Sequence, residues 1–147
     1  MRFLVVAFVA GAVLSPSAFA HPGGHDGGGY YPPTSKPVEP TVIPETFPGV
    51  VSALRERVTV VSTALDAGKI ADLHRGCVGL TDLASAIPAK AAALSADAKA
   101  KAATTATHLQ QKVAELYSAA GKGDNVAGKA AIVAITADID LLEGLAK

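Results

Sequence analysis

The chain has 147 residues, half of them hydrophobic and 18% charged, with 13 basic and 13 acidic residues. This length and composition predict one small globular domain. Because acidic and basic residues are balanced and interspersed, the chain offers no electrostatic surface for nucleic acid or for an anionic membrane, and neither partner is expected.

Residues 1–20 have the pattern of a secretory signal peptide. Arg2 supplies a basic start, residues 3–14 form an uninterrupted apolar run, and Ala18-Phe19-Ala20 places small residues where a signal peptidase cleaves. The apolar run is shorter than the ~20 residues that a transmembrane helix needs. We therefore expect an exported protein, periplasmic or secreted, whose mature chain begins at His21 and has no membrane span.

Residues 21–48 are rich in proline and glycine and show no helical or strand periodicity. Each proline removes a backbone donor and biases the preceding residue toward an extended conformation. The composition predicts a disordered, partly polyproline-like arm. An alternative is that the arm folds back and lays Tyr30, Tyr31 or Ile43 on the folded part of the chain.

The predicted mature N-terminus could hold a divalent metal ion. The α-amine and imidazole of His21 can chelate one ion together, and the glycines that follow allow His25 to fold over it, with Asp26 as a further oxygen ligand. Amine and imidazole nitrogens suit Cu(II), Ni(II) or Zn(II). Pro22 has no amide proton, so chelation through successive backbone amides is blocked there. The competing interpretation is an arm whose histidines bind nothing.

Residues 49–147 are predicted to form four helices, because apolar residues recur at alternating steps of three and four. Helix 1 is expected over residues 49–67 with Gly68 after its end. Helix 2 is expected to falter at Pro88, or Pro88 instead begins a new helical turn. Ser95 should cap helix 3, and Asp124 or Asn125 should cap helix 4. The apolar positions are Phe47, Val51, Leu54, Val58, Val61 and Leu65; Ile70, Leu73, Cys77, Leu80, Ala84 and Ile87; Ala102, Ala106, Leu109, Val113, Leu116 and Ala120; and Ile132, Ile135, Ile139, Leu142 and Ala146.

Short links between helices 1 and 2 and between helices 3 and 4 favour antiparallel neighbours. The predicted fold class is therefore all-α, an up-down-up-down antiparallel four-helix bundle preceded by the signal peptide and the arm. Four apolar residues lie off the main stripes and could form a patch for self-association. They are Val60, Val78, Leu83 and Leu141.

A second, internal metal site is conceivable within the bundle. His74 and Cys77 are three residues apart, so they share a face of helix 2. With the turn between helices 2 and 3 centred at residue 91, His108 lies level with His74, and two histidines with a thiolate could bind Zn(II) or Cu. With the turn centred at Ser95, the two histidines separate by ~12 Å. The alternatives are two partly exposed histidines and a cysteine buried as a small hydrophobic residue.

Helix 2 and its flanks resemble small exported helical-bundle proteins associated with bacterial heavy-metal efflux systems. The similarity covers residues 50–145 and depends on Leu73-His74, Asp82-Leu83 and Pro88-Ala89-Lys90, within the patterns AGK-I-A-D-L-H and T-D-L-A-x-A-I-P-A-K. The resemblance implies an extracytoplasmic accessory role linked to metal. It implies no particular site.

The sequence gives no indication of an enzyme. It contains no nucleophile-elbow or phosphate-loop motif and no Glu-x-x-His repeat, and the acidic residues of helix 4, Asp138, Asp140 and Glu143, are interpreted as a solvated face. We therefore expect a non-enzymatic exported protein with an accessory binding role for Cu, Ni or Zn. The alternative is a structural or protein-interaction module with an unidentified protein partner.

Overall fold

The computed structural model describes residues 40–147, which are helical apart from residues 40–46, the links between helices and the last two residues. The four α-helices are α1 (Phe47–Asp66), α2 (Ile70–Lys90), α3 (Ala96–Gly121) and α4 (Asn125–Leu145), and a short 3₁₀ turn, Ala91–Ala93, follows α2. No strand occurs between residues 40 and 147. The predicted all-α fold of four helices is confirmed for this part of the chain. The predicted signal peptide and residues 21–39 of the arm lie outside it.

Three side-chain caps fix where helices begin. The Thr46 hydroxyl accepts from the backbone N–H of Gly49, so α1 starts at Phe47, two residues before the predicted start. Ser95 accepts from Ala98, which confirms the predicted cap of α3. Asp124 rather than Asn125 caps α4, accepting from Ala127 at 2.9 Å.

Pro88 does not end α2, which continues through it to Lys90. The prediction that the helix falters there was wrong by two residues. The Pro88 ring lies at the exposed surface, and the helix tightens into the 3₁₀ turn only at Ala91. The turn between α2 and α3 therefore lies closer to Ser95 than to Pro88. Its position determines which residues of α2 and α3 lie side by side.

The core is formed by the predicted apolar positions of each helix. The predicted stripes of α1 and α3 are buried throughout, whereas Ile70 at the start of α2 is 50% exposed and Ile132 in α4 is partly exposed. Leu83, predicted to lie in an exposed patch, is instead 1% exposed. Burial of these side chains removes apolar surface from water and is the main favourable term in folding.

Each helix packs against two others: α1 and α3 each contact both α2 and α4. Residues 40–46 also lie against α2, where the Thr41 hydroxyl donates to Asp82 at 2.7 Å and Ile43 packs on the core. Of the two predictions for the arm, Ile43 therefore fits the one in which the arm folds back onto the folded part of the chain. Among the helices described, none is long and apolar enough to cross a membrane.

Candidate functional site

A buried carboxylate lies at the contact between α3 and α4. Asp138 is 5% exposed, and its two oxygens lie 2.9 and 2.8 Å from Nδ1 of His108. An ionised carboxylate only accepts hydrogen bonds, so we assign the proton to Nδ1 of His108. The pair satisfies a carboxylate that would otherwise be buried without a partner, at a considerable cost in free energy.

The same pair holds the His108 imidazole in one orientation through its Nδ1 atom. The His108 side chain is 48% exposed, so solvent reaches the ring. Carboxylates orient histidines in this way at metal sites and in catalytic pairs. However, residues 40–147 contain no group of three or more His, Cys, Asp or Glu side chains that could hold a metal ion. Within residues 40–147, His108 is therefore a single oriented imidazole with one carboxylate partner.

His74 lies in a different groove, between α2 and α3. Its ring contacts that of Tyr117, with the ring centroids 5.1 Å apart and tilted by 55°. Tyr117 is nine residues beyond His108 on the same helix, which corresponds to about 13 Å along its axis. The register expected for a turn centred at Ser95 is therefore correct, and the one centred at residue 91 is wrong.

The structure consequently does not assemble His74, Cys77 and His108 into one site. His74 and Cys77 line the groove between α2 and α3, whereas His108 bonds to Asp138 of α4. The described residues thus give no support to the internal metal site. His21, His25 and Asp26 lie outside these residues, and the metal site predicted there stays a prediction.

Cys77 is buried, as its position on the apolar stripe of α2 predicts, and forms no disulfide. Desolvation raises the pKa of its thiol from the ordinary 9.0 to about 11. A thiolate is required for metal ligation and for nucleophilic attack. At neutral pH Cys77 therefore behaves as a small hydrophobic side chain.

This burial makes a prediction about the reactivity of Cys77. At pH 8 we expect a disulfide reagent such as DTNB to label the folded chain at least ~100-fold more slowly than the urea-unfolded chain, because each unit of raised pKa lowers the thiolate fraction tenfold. The measurement is the absorbance of the released thiolate with time. Equal rates for the folded and unfolded chains would contradict the buried position of Cys77.

The groove between α2 and α3 has a volume of about 350 Å³ and is predominantly apolar. Its lining comprises His74, Cys77, Val78, Thr81, Asp82, Gln110, Val113, Ala114 and Tyr117. A larger groove of about 930 Å³ lies along α1 and α2 and is lined by side chains of both charge signs. Although His74, Cys77 and Asp82 line the smaller groove, no hydrogen bond joins His74 to either of the other two, and Asp82 accepts from Thr41 instead.

An ion-pair cluster joins α1 to α4. Arg55 donates to Asp140 and, at 2.9 Å, to Glu143, and the hydrogen bond to Asp140 raises the pKa of Arg55 above its usual value. Asp140 and Glu143 keep 61% and 43% of their side chains exposed, so the interpretation of these acids as a solvated face was wrong only for Asp138, which is buried. Asp138 could have been identified from its spacing, because it lies three residues after Ile135 and four before Leu142.

Comparison of the chain with protein-family models, with curated proteins and with solved structures finds no match. The fold class is known from the structure alone: the chain is all-helical between residues 40 and 147, with four α-helices. Function has to be argued from the residues themselves.

Proposed function

We propose that this chain is an exported, non-enzymatic binding protein in which an antiparallel up-down-up-down helical bundle carries an N-terminal arm that binds one Cu(II), Ni(II) or Zn(II) ion. The ligands are the α-amine and imidazole of His21 and the imidazole of His25. The observation that carries the proposal is the sequence His-Pro-Gly-Gly-His-Asp directly after the small residues of the predicted cleavage site.

Contacts between helices support the antiparallel arrangement. On α1 and α4, Arg55 pairs with Glu143 while Asp66, farther along α1, pairs with Lys129, which precedes Glu143 on α4. On α2 and α3, Ser85 accepts from Gln110, whereas His74 contacts the later Tyr117. In both pairs of helices, residue numbers increase along one helix in the direction in which they decrease along the other, as expected for antiparallel neighbours.

The described residues also fit a non-enzymatic role. Their two histidines are engaged with Tyr117 and Asp138, and their cysteine is a buried thiol. The folded part of the chain then acts as a stable scaffold, and the histidine-containing arm supplies the ligands. The resemblance to exported proteins of metal efflux systems favours the same accessory role.

The proposal predicts metal binding that depends on the arm. Isothermal titration of the purified exported protein with Cu(II) or Ni(II) should give one saturable site, lost in His21→Ala and His25→Ala without a change in helicity by circular dichroism. Binding should weaken on acidification, because protons compete for the same nitrogens. Intact mass spectrometry of the same sample establishes whether the chain begins at His21.

The matched control is His74→Ala, which removes a histidine outside the arm and should leave the titration unchanged. Absence of binding in the wild-type protein would contradict the metal proposal and favour the alternative, a structural or protein-interaction module without metal. Loss of binding in His74→Ala alone would contradict the assignment to the arm.

A further inference from the structure

α4 carries apolar residues on two opposite sides. One side faces the core through Ile135, Ile139 and Leu142, all 0% exposed. The other, which we call the outer stripe, follows steps of three or four residues and is exposed along its whole length. The outer stripe consists of Val126, Ala130, Val133, Ala137, Leu141 and Gly144.

The outer stripe is an unusual surface for a protein that would act alone. Val126, Val133 and Leu141 are 81%, 69% and 62% exposed, and no charged residue interrupts them on the stripe. A helix that is apolar on both sides is typically covered on both sides. Apolar residues aligned at helical spacing on a surface mark a contact with another chain more often than isolated ones do.

The stripe is complementary to itself when two copies meet in opposite directions. With a twofold axis beside residue 135, Val133 lies opposite Ala137 of the second copy, and Val126 lies opposite Gly144. Leu141 lies within one residue, about 1.5 Å along the helix, of the level of Ala130 of the second copy. Each large side chain therefore meets a small one, which allows two helices to approach to about 8 Å. A Cβ built on Gly144 meets no atom within 4 Å, so its side of the helix is open.

The charges beside the stripe are complementary in the same register. Lys129 and Asp140 lie on the edge of α4 that faces α1, where they pair with Asp66 and Arg55 and keep 65% and 61% of their side chains exposed. In an antiparallel pair of helices, equivalent edges face each other. Lys129 of one copy then lies within one residue of the level of Asp140 of the second, and Asp140 likewise near Lys129, which selects the antiparallel direction over the parallel one.

From this shape and charge complementarity we infer that the protein forms a homodimer through the outer stripe of α4, packed antiparallel against α4 of a second copy. The inference does not depend on metal binding, because the stripe and the arm share no residue. The dimer covers Val126, Val133 and Leu141, which are three of the large apolar side chains exposed on residues 40–147.

Sedimentation equilibrium of the full exported protein over concentrations on the order of 1 to 100 µM tests the inference. The wild-type protein should change from monomer to dimer in this range. Val133→Glu should raise the dissociation constant at least ~10-fold, because two carboxylates would be buried near the axis. The matched control Val60→Glu makes the same change at a 53% exposed valine of α1 and should leave the constant unchanged.

A charge exchange tests the direction of packing. Lys129→Glu should weaken the dimer several-fold by placing two acids opposite each other, and the double variant Lys129→Glu, Asp140→Lys should restore it. Lys99→Glu, an equivalent change on the exposed side of α3, is the control. A monomer at every concentration, equal effects of Val133→Glu and Val60→Glu, or no restoration in the double variant would each overturn the inference. Thermal melts confirm that each variant is folded.

Discussion

Replacing His108 with alanine is expected to lower the free energy of unfolding by about 2 kcal/mol, because Asp138 then remains buried without its hydrogen-bond partner. Asp138 is 5% exposed, and a substitution that leaves a buried carboxylate without a partner costs more free energy than one at the surface. The His108 side chain is 48% exposed, so water enters the vacated space and keeps the loss below that of a fully buried pair. Urea unfolding followed by circular dichroism measures the difference.

A double-mutant cycle separates the charge from the loss of packing. Asp138→Asn keeps the size of the side chain and an acceptor oxygen but removes the charge. In that background His108→Ala should cost no more than about 1 kcal/mol, since only a neutral hydrogen bond is lost. His74→Ala, which removes a ring contact with Tyr117 at the surface, is the matched control and should cost about 0.5 kcal/mol. An equal cost of His108→Ala in both backgrounds would contradict a hydrogen bond that the charge of Asp138 strengthens.

The helices and their core could be predicted because those features depend on neighbours in sequence. Apolar residues three and four apart share a face of a helix whatever surrounds it, so Leu54, Leu80 and Leu109 were identified as core from spacing alone. The starts of α3 and α4 were predictable for the same local reason, with Asp124 as one of two candidates for α4. Ser95 and Asp124 cap the helices that follow them through hydrogen bonds to N–H groups three residues away.

Features that depend on two helices at once were predicted less well. Whether His74 meets His108 or Tyr117 depends on where the link between α2 and α3 turns. That link is rich in alanine, which favours a helix equally at every position, so its sequence does not specify the turn. The continuation of α2 through Pro88 and the 3₁₀ turn at Ala91–Ala93 move the turn to Ser95 and separate the two histidines.

Asp138 was misjudged for a different reason. Its position, three residues after Ile135, predicts the core side of α4, but its residue type predicts the surface. The conflict is resolved by His108 of α3, thirty residues away, which provides a partner for the carboxylate. A partner at that separation cannot be inferred from periodicity along one helix. A charged residue on an apolar stripe is itself the signal that such a partner exists.

The close approach of α1 and α2 gives the second large expected effect. Gly76 of α2 is buried, and a Cβ placed on it would lie 2.3 Å from Cγ2 of Val61 on α1. Valine is stiff at χ1 in a helix and Val61 is 0% exposed, so the methyl group cannot move aside without disturbing the core. We expect Gly76→Ala to lower the free energy of unfolding by about 1–2 kcal/mol, even though alanine gains about 1 kcal/mol in helix propensity.

Gly79, three residues later on α2, is the matched control. A Cβ there would lie 3.0 Å from Nε of Arg57, whose long side chain can shift at little cost. Gly79→Ala should therefore keep most of its gain in propensity and raise the free energy of unfolding by about 0.5 kcal/mol. The two substitutions are chemically identical and lie on the same helix, so their opposite signs in urea unfolding isolate the contact with Val61.

A rescue variant tests the contact directly. Val61→Ala alone should cost about 2 kcal/mol through the cavity that it leaves. In the double variant Val61→Ala, Gly76→Ala, the new methyl group occupies space vacated by valine, so the total cost should be smaller than the sum of the two single costs by about 1 kcal/mol or more. Additive costs would mean that α1 and α2 separate to accept the methyl group. In that case the contact between Gly76 and Val61 would not determine the distance between the two helices.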